Sequence, residues 1–351
     1  PPPLYLPLVV GPVARGMRVG VNVTTGDVTR FPDTGAGWYV DYRVRAQPPR
    51  FPGMEYVQMV RLHQNLTCPI GTNPDRTACP YLEPHSYQHW PDASTIQAAA
   101  RANPGSLWLI GNEMDRRDWW GSHQDEMLPE LYAVAYHEMR SLIRAADPTA
   151  RIAIGGVVQP TPLRLLYLDR VWDAYIRTYG TEMPVNVWNI HAFLLQEQRG
   201  AWGADIPAGI DAEEGLYVGE NWRHVDLPSF AWQIRSFRRW MQLRGQQHKP
   251  LIITEFGVLL PNPVFGQDDA DPQPVLDFLT ATFDYLRTAK DCDLGLPADD
   301  CRLVQRWNWF SLDHASDFNR HHYLVEPESR TLTVTGETYR QYIGTYRQEL
   351  E

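Results

Sequence analysis

Short runs of β-branched and aromatic residues alternate with amphipathic stretches along most of the chain. The runs fall at 18–23 (RVGVNV), 38–44 (WYVDYRV), 55–62 (EYVQMVRL) and 106–112 (SLWLIGN). They continue at 151–156 (RIAIGG), 185–191 (VNVWNIH), 251–257 (LIITEFG) and 303–310 (LVQRWNWF). Each is nearly continuous in apolar character, as parallel strands buried on both faces require. Between the later runs, apolar residues recur at helical spacing over 126–146, 162–179, 228–244 and 273–289, and 336–349 supplies a closing helix. The first of these helices stops at Asp147-Pro148, because a proline disfavours the helical conformation of the residue before it. Strand–helix alternation predicts a parallel α/β sheet, and eight strands without an evident edge predict closure into a (β/α)8 TIM-type barrel.

The first quarter departs from that regularity. The segment RAQPPRFPGM between the second and third runs cannot hold a crossover helix, since its prolines remove donors and break any helical run. A missing or reduced helix between strands two and three is therefore expected. Residues 1–17 read as a Pro-rich linker or processed N-terminus, and 18–351 as one barrel domain. No internal repeat is visible.

Composition narrows the classes of function. The chain has 351 residues, 43% hydrophobic and 21% charged, with a net charge of −10 that is interspersed rather than blocked. No basic run of the kind that tracks phosphates occurs, so nucleic acid is not an expected partner. No stretch is long and apolar enough for a transmembrane helix. The four cysteines form two close pairs around turn-rich loops, Cys68 with Cys79 and Cys292 with Cys301. Two loop-stapling disulfides are expected, and with them an oxidising, extracellular setting. Attachment to a cell surface through the N-terminal linker is compatible with this reading. The protein is expected to be a monomer.

Candidate chemistry sits at two strand ends. IGNEMD places Asn112 and Glu113 directly after the fourth strand, and ITEFG places Glu255 at the end of the seventh. In a barrel the carboxyl ends of the strands converge on one mouth, so both acids would face one cleft. A charged residue that ends an apolar strand is costly to desolvate unless something uses it. Two such carboxyls can hydrolyse a glycosidic bond, one as nucleophile and one as acid then base. The charge of Glu255 would raise the pKa of Glu113 and keep it protonated for leaving-group departure.

These residues resemble those of the clan A glycoside hydrolases, which carry Asn-Glu after strand four and Glu at the end of strand seven. The resemblance implies acid/base for Glu113, nucleophile for Glu255 and recognition of the sugar 2-hydroxyl by Asn112. Two-step hydrolysis of a β-linked glycan with retention is expected, with β-glucan the first candidate and β-xylan, mannan and galactan backbones left open; no HExxH is present, and neither a metal nor a cofactor is expected. Gly37-Trp38-Tyr39, Pro48-Pro49 and Gly53-Met54-Glu55-Tyr56-Val57-Gln58-Met59 are similar to the Asl1-like glycosyl hydrolase catalytic core, a group that includes β-1,3-glucanases.

Two positions depart from the clan pattern. Met114 stands where proline is usual, and His191-Ala192-Phe193 stands for His-x-Tyr, so Phe193 lacks a hydroxyl that could bind the nucleophile. His191 ends the sixth strand and is expected to contact substrate. By resemblance a tryptophan ending strand eight would floor the cleft, either Trp309 or Trp307. Trp38, Trp119 and Trp222 are further candidates for contact with oligo- or polysaccharide, since flat rings with a polar edge suit sugar faces. A carbohydrate-binding pseudoenzyme on the same barrel is the alternative, and a metal-dependent hydrolase a third reading.

Overall fold

The computed structural model describes residues 16–28, 31–118, 124–313 and 318–351. Its strands are β1 (Val19–Asn22), β2 (Trp38–Val40), β3 (Glu55–Gln64), β4 (Tyr87–Trp90), β5 (Leu107–Ile110), β6 (Arg151–Ile154), β7 (Trp188–His191), β8 (Leu251–Glu255) and β9 (Arg306–Trp309). The helices are α1 (Ala93–Ala102), α2 (Pro129–Ala146), α3 (Pro162–Tyr179), α4 (Leu227–Leu243), α5 (Gln273–Thr288) and α6 (Val334–Leu350). Eight strands are ordered β6-β5-β3-β2-β1-β9-β8-β7, with β4 set apart as an antiparallel partner of β3. Bridges between Ala153 and Val187 and between Val157 and Ile190 draw β6 and β7 together, so the parallel sheet is a nearly closed barrel.

Alternation along each strand divides the core into two shells. Trp38, Val40, Val57, Met59, Leu107, Leu109, Ala153 and Ile252 fill the barrel interior. Their neighbours Tyr39, Trp108, Ile110, Ile152, Ile154, Ile190, Ile253, Trp307 and Trp309 face outward to the helices. Gly20 lies on the inner face of β1, where a Cβ would meet Asn308 Oδ1 at 2.2 Å and the Trp38 carbonyl at 2.5 Å. Only glycine lets those three strands close at this point.

The prolines act as the sequence implies. No helix lies between β2 and β3, and the outer face of β2 is covered instead by Phe31, Phe51 and Tyr56 around Tyr39. The Tyr39 hydroxyl donates to the Pro49 carbonyl at 2.7 Å, pinning that loop. Between β1 and β2 the described residues form a short 3-10 turn, Phe31–Thr34. The later helices match their expected positions within a few residues. Helix α3 begins with Pro162 and ends at Gly180 in the left-handed region, while the Asp226 side chain caps α4 through the Ser229 N–H.

Two elements carry little sequence signal. Helix α1 buries only Ile96, Ala99 and Ala100, and such small side chains make a faint periodicity. Strand β4 is half exposed and lies off the barrel, so it lacks the apolar continuity of the others. Both predicted disulfides are formed, Cys68–Cys79 and Cys292–Cys301. No helix among the described residues is long and apolar enough to cross a membrane.

Candidate active site

The inner faces of β7 and β8 meet at a bulge. Ile190 pairs with Ile253, but His191 pairs with Glu255, so Thr254 is passed over. One extra residue at a strand end re-aims the side chain that follows. Glu255 would otherwise share the outward parity of Ile253; the bulge brings it level with the inward-facing His191. On the other side of the mouth, Glu113 follows β5 with a φ of 49°, a left-handed conformation uncommon for a side chain of this size. Its N–H donates to the Gly156 carbonyl at 2.9 Å.

His191 lies between the two acids. Its Nδ1 is 3.0 Å from Glu113 Oε1 and its Nε2 is 3.4 Å from Glu255 Oε1. Nδ1 hydrogen-bonds to Glu113, whereas Nε2 approaches Glu255 without forming a hydrogen bond. The ring passes over Gly156, where a Cβ would meet its Cδ2 at 2.3 Å, so no larger residue fits beneath it. A donor atom from each of Glu113, His191 and Glu255 lies within 4.8 Å of the other two, and all three residues are buried.

The two carboxylates have different surroundings. Glu113 Oε2 receives Arg116 Nη1 at 3.0 Å and the Gln124 amide at 3.3 Å. Glu255 Oε1 accepts the hydroxyl of Tyr42 at 2.8 Å. Burial pushes the Glu113 carboxyl up, but Arg116 and His191 outweigh it and hold the group well below the usual carboxylate range. Burial likewise pushes Glu255 up; His191 opposes this, the Glu113 charge adds to it, and the net pKa is raised. Burial alone would lower His191, but Glu255 and Glu113 together raise it. The substrate-free site is therefore polarised opposite to the sequence expectation for Glu113, because Arg116 carries a charge that the IGNEMD motif does not reveal.

A supporting layer fixes the two loops. Asp125 Oδ2 accepts the backbone N–H groups of Leu62 and Asn112 at 2.9 and 2.8 Å, and its other oxygen pairs with Arg61 at 2.6 Å. Asn112 is thus held by its backbone, while its buried side-chain Oδ1 has no hydrogen-bond partner. Asp115 pairs with buried Arg164 at 3.1 Å, and Arg164 also binds Glu197. Tyr42, Arg116, Asp125 and Arg164 are site residues that the strand pattern did not single out. Each is polar beside the barrel mouth; Tyr42, Asp125 and Arg164 find partners on other segments, and Arg116 joins Glu113 on its own loop to the Gly203 carbonyl.

The aromatic expectations need correction. Trp309 and Trp307 do not face the mouth: both are buried against Phe283 of α5, and Trp309 Nε1 donates to the His322 carbonyl at 2.7 Å. Inward parity on β9 belongs to Arg306 and Asn308, so the aromatic that follows at the rim is Phe310. It packs edge-on to Phe193 at 5.9 Å, and Phe193 packs edge-on to His191 at 6.2 Å. Trp38 is also no surface for a sugar. It plugs the opposite end of the barrel, with Nε1 on the Arg18 carbonyl and the Arg306 guanidinium over its ring at 4.3 Å. Trp222 is 53% exposed on a 3-10 turn, with Arg223 over its ring at 4.4 Å. Trp119 lies outside the described residues.

Glu113, His191 and Glu255 are, among the described residues, the donor set that could gather a cation. The two His191 nitrogens are turned toward different carboxylates, so a cation held by all three would displace a hydrogen bond. The arrangement is that of two acids linked by an imidazole. It can place a negative carboxylate on one side of a substrate atom and an acid on the other.

No family model matches the sequence, and no curated protein matches it. Solved structures do. An endo-β-1,3-glucanase of GH128 subgroup I from Amycolatopsis mediterranei, in complex with laminarihexaose, is 18% identical, with 93% of this chain and 99% of that chain covered and a TM-score of 0.53. A GH128 subgroup VII oligosaccharide-binding protein from Trichoderma gamsii is 12% identical over 95% of this chain and 96% of that one, with a TM-score of 0.51. A GH5 enzyme of subfamily 18 from Streptomyces cattleya, in complex with GlcNAc, is 13% identical over 96% and 82%, with a TM-score of 0.53. The chain shares their barrel fold along nearly its whole length. At these identities the likeness is one of fold.

Proposed function

We propose that the protein is a secreted retaining glycoside hydrolase acting on a β-linked glucan, with Glu255 as nucleophile and Glu113 as acid/base. The observation that carries this reading is that one oxygen of each carboxyl lies within 4.8 Å of an oxygen of the other, a close approach of the kind expected of retaining pairs, whose carboxyl groups stand ~5–5.5 Å apart. The two disulfides support an oxidising compartment. The carbohydrate complexes among the structural neighbours support a sugar as ligand and make β-1,3-glucan the first substrate to try.

In the first step the Glu255 carboxylate attacks the anomeric carbon. The glycosidic C–O bond breaks as Glu113 gives its proton to the leaving oxygen. In the second, Glu113 takes a proton from water, the water oxygen attacks the same carbon, and the ester bond to Glu255 breaks. Tyr42 steadies Glu255 for attack, and the unpartnered Asn112 Oδ1 can accept a sugar hydroxyl.

The test is a screen of β-glucans, xylan, mannan and aryl β-glycosides against the wild type, Glu113→Ala and Glu255→Ala. Both variants lose activity by several orders of magnitude, and azide restores Glu255→Ala with a glycosyl azide of inverted configuration. Wild-type turnover in either variant overturns that residue's role. The subgroup VII neighbour favours a second reading, an oligosaccharide-binding protein. It predicts saturable binding of laminari-oligosaccharides with no hydrolysis.

A further inference from the structure

The retaining cycle must begin with Glu113 protonated and Glu255 ionised. The geometry around Glu113 opposes this. Arg116 Nη1 lies 3.0 Å from Glu113 Oε2, and a guanidinium stays charged at any working pH. The same side chain reaches in the other direction: Nε and Nη2 both donate to the Gly203 carbonyl, at 3.1 and 2.6 Å. One planar cation thus ties the acid to the loop that follows β7.

That loop is a compact tile. Ala204 N–H donates to the Gln196 carbonyl at 2.9 Å, and the Gln196 amide donates to the Trp202 carbonyl at 2.8 Å. Gly203 has a φ of 146° and lies so close to Gln196 that a Cβ would meet its carbonyl at 2.6 Å. Buried Arg164 holds the base of the tile through the Asp205 carbonyl at 2.7 Å. At the tip, directly before Gly203, the Trp202 ring is 53% exposed. A large apolar ring in solvent, one residue from the carbonyl that positions Arg116, is a handle a sugar ring can stack on.

We propose that Arg116 is a positioning residue that latches the acid/base in its ionised form without substrate, and that glycan bound on Trp202 releases the latch. This rests on the glycosidase reading of the site. Among the described residues, the charged and titratable groups facing Glu113 are Arg116 and Asp115 on its own loop, Tyr42 after β2, His191 on β7 and Glu255 on β8. With Arg116 in place, a single proton shared by the two acids resides on Glu255, and the productive arrangement is a minor one. When a sugar draws the tile and the Gly203 carbonyl away, Arg116 follows, and the proton moves to Glu113.

The experiment compares pH profiles of kcat/KM on phenyl and 2,4-dinitrophenyl β-glycosides, which carry a single sugar, and on a long oligosaccharide. In Arg116→Gln the acid limb moves up by about one pH unit or more. The plateau on the phenyl glycoside rises severalfold, while on the dinitrophenyl glycoside, whose leaving group needs no acid, the acid limb moves down instead, because the shared proton no longer sits on Glu255. Arg116→Lys, which keeps the charge, holds the wild-type limb. An unmoved limb, or an equal fall on both aryl substrates, overturns the latch. Trp202→Ala changes an exposed position and keeps the test open should Arg116→Gln fail to fold. It loses about tenfold on the oligosaccharide alone, whereas equal losses on all substrates, or none, overturn the handle. Wild-type turnover by Glu113→Ala instead marks failure of the glycosidase reading itself.

Discussion

Tyr42 donates its hydroxyl to Glu255 Oε1 at 2.8 Å, from the end of the second barrel strand to the end of the seventh. Its backbone sits at a φ of 61°, and the ring packs against the apolar cluster that contains Phe193, the residue whose missing hydroxyl the sequence made conspicuous. A hydrogen bond to Glu255, the proposed nucleophile, is therefore present, but from another strand. Glu255 is otherwise pushed up by burial, and this bond favours its charged form.

Tyr42→Phe tests that relationship. Loss of the bond raises Glu255 further and weakens its hold in the attack position. We expect kcat/KM to fall by about 10–100-fold, with a thermal unfolding midpoint close to wild type. Unchanged kcat/KM would show that the phenol does not act on the nucleophile.

Gly156→Ala is expected to damage the site without touching substrate. The new Cβ would lie 2.3 Å from His191 Cδ2, so the imidazole must move off the carboxylate pair. Overpacking of this kind costs about 1–3 kcal/mol, readable by urea unfolding. A larger loss in kcat than in folded fraction is the diagnostic outcome, and a variant as active as wild type would sink the packing argument.

Trp309→Phe separates the observed role of that ring from the one its strand-end position suggested. It packs on Phe256 and Phe283 and binds the His322 carbonyl. Losing the buried hydrogen bond and part of the ring should cost about 1–3 kcal/mol of stability and leave KM within twofold. A selective rise in KM would place the ring in the cleft after all.

His224 supplies a pH test of stability. Its Nε2 accepts the N–H groups of Leu259 and Leu260 at 2.7 and 3.0 Å, and its Nδ1 lies 3.0 Å from the Leu194 carbonyl. Burial pushes its pKa down from 6.5 to about 4. A depressed histidine stabilises the fold in full above its unfolded pKa, and that contribution is lost as pH falls through the folded value. Between pH 7.5 and 4.5 the stability gap between wild type and His224→Asn should narrow by about 2–3 kcal/mol. A gap that stays constant in urea titrations at the two pH values would refute the neutral, doubly accepting ring.

Barrel class, the missing helix after β2, both disulfides and the strand-end placement of Glu113, Asn112, His191 and Glu255 were legible in the chain. These are local properties: apolar runs set the strands, prolines forbid a helix, and the first acid after a run falls at the mouth. What the pattern could not carry was which way side chains turn at the rim and whom they meet. Trp309 and Phe310 differ by one residue, and strand parity sends the first to the helices and the second to the mouth. The β7–β8 bulge turns Glu255 inward against that same alternation. Tyr42 with Glu255, and Arg116 with Gly203, join segments far apart in sequence. The sequence alone determined the barrel and its pair of acids; the tertiary structure decided their surroundings, because Tyr42, His191 and the facing carboxylate reach each acid only when the barrel closes.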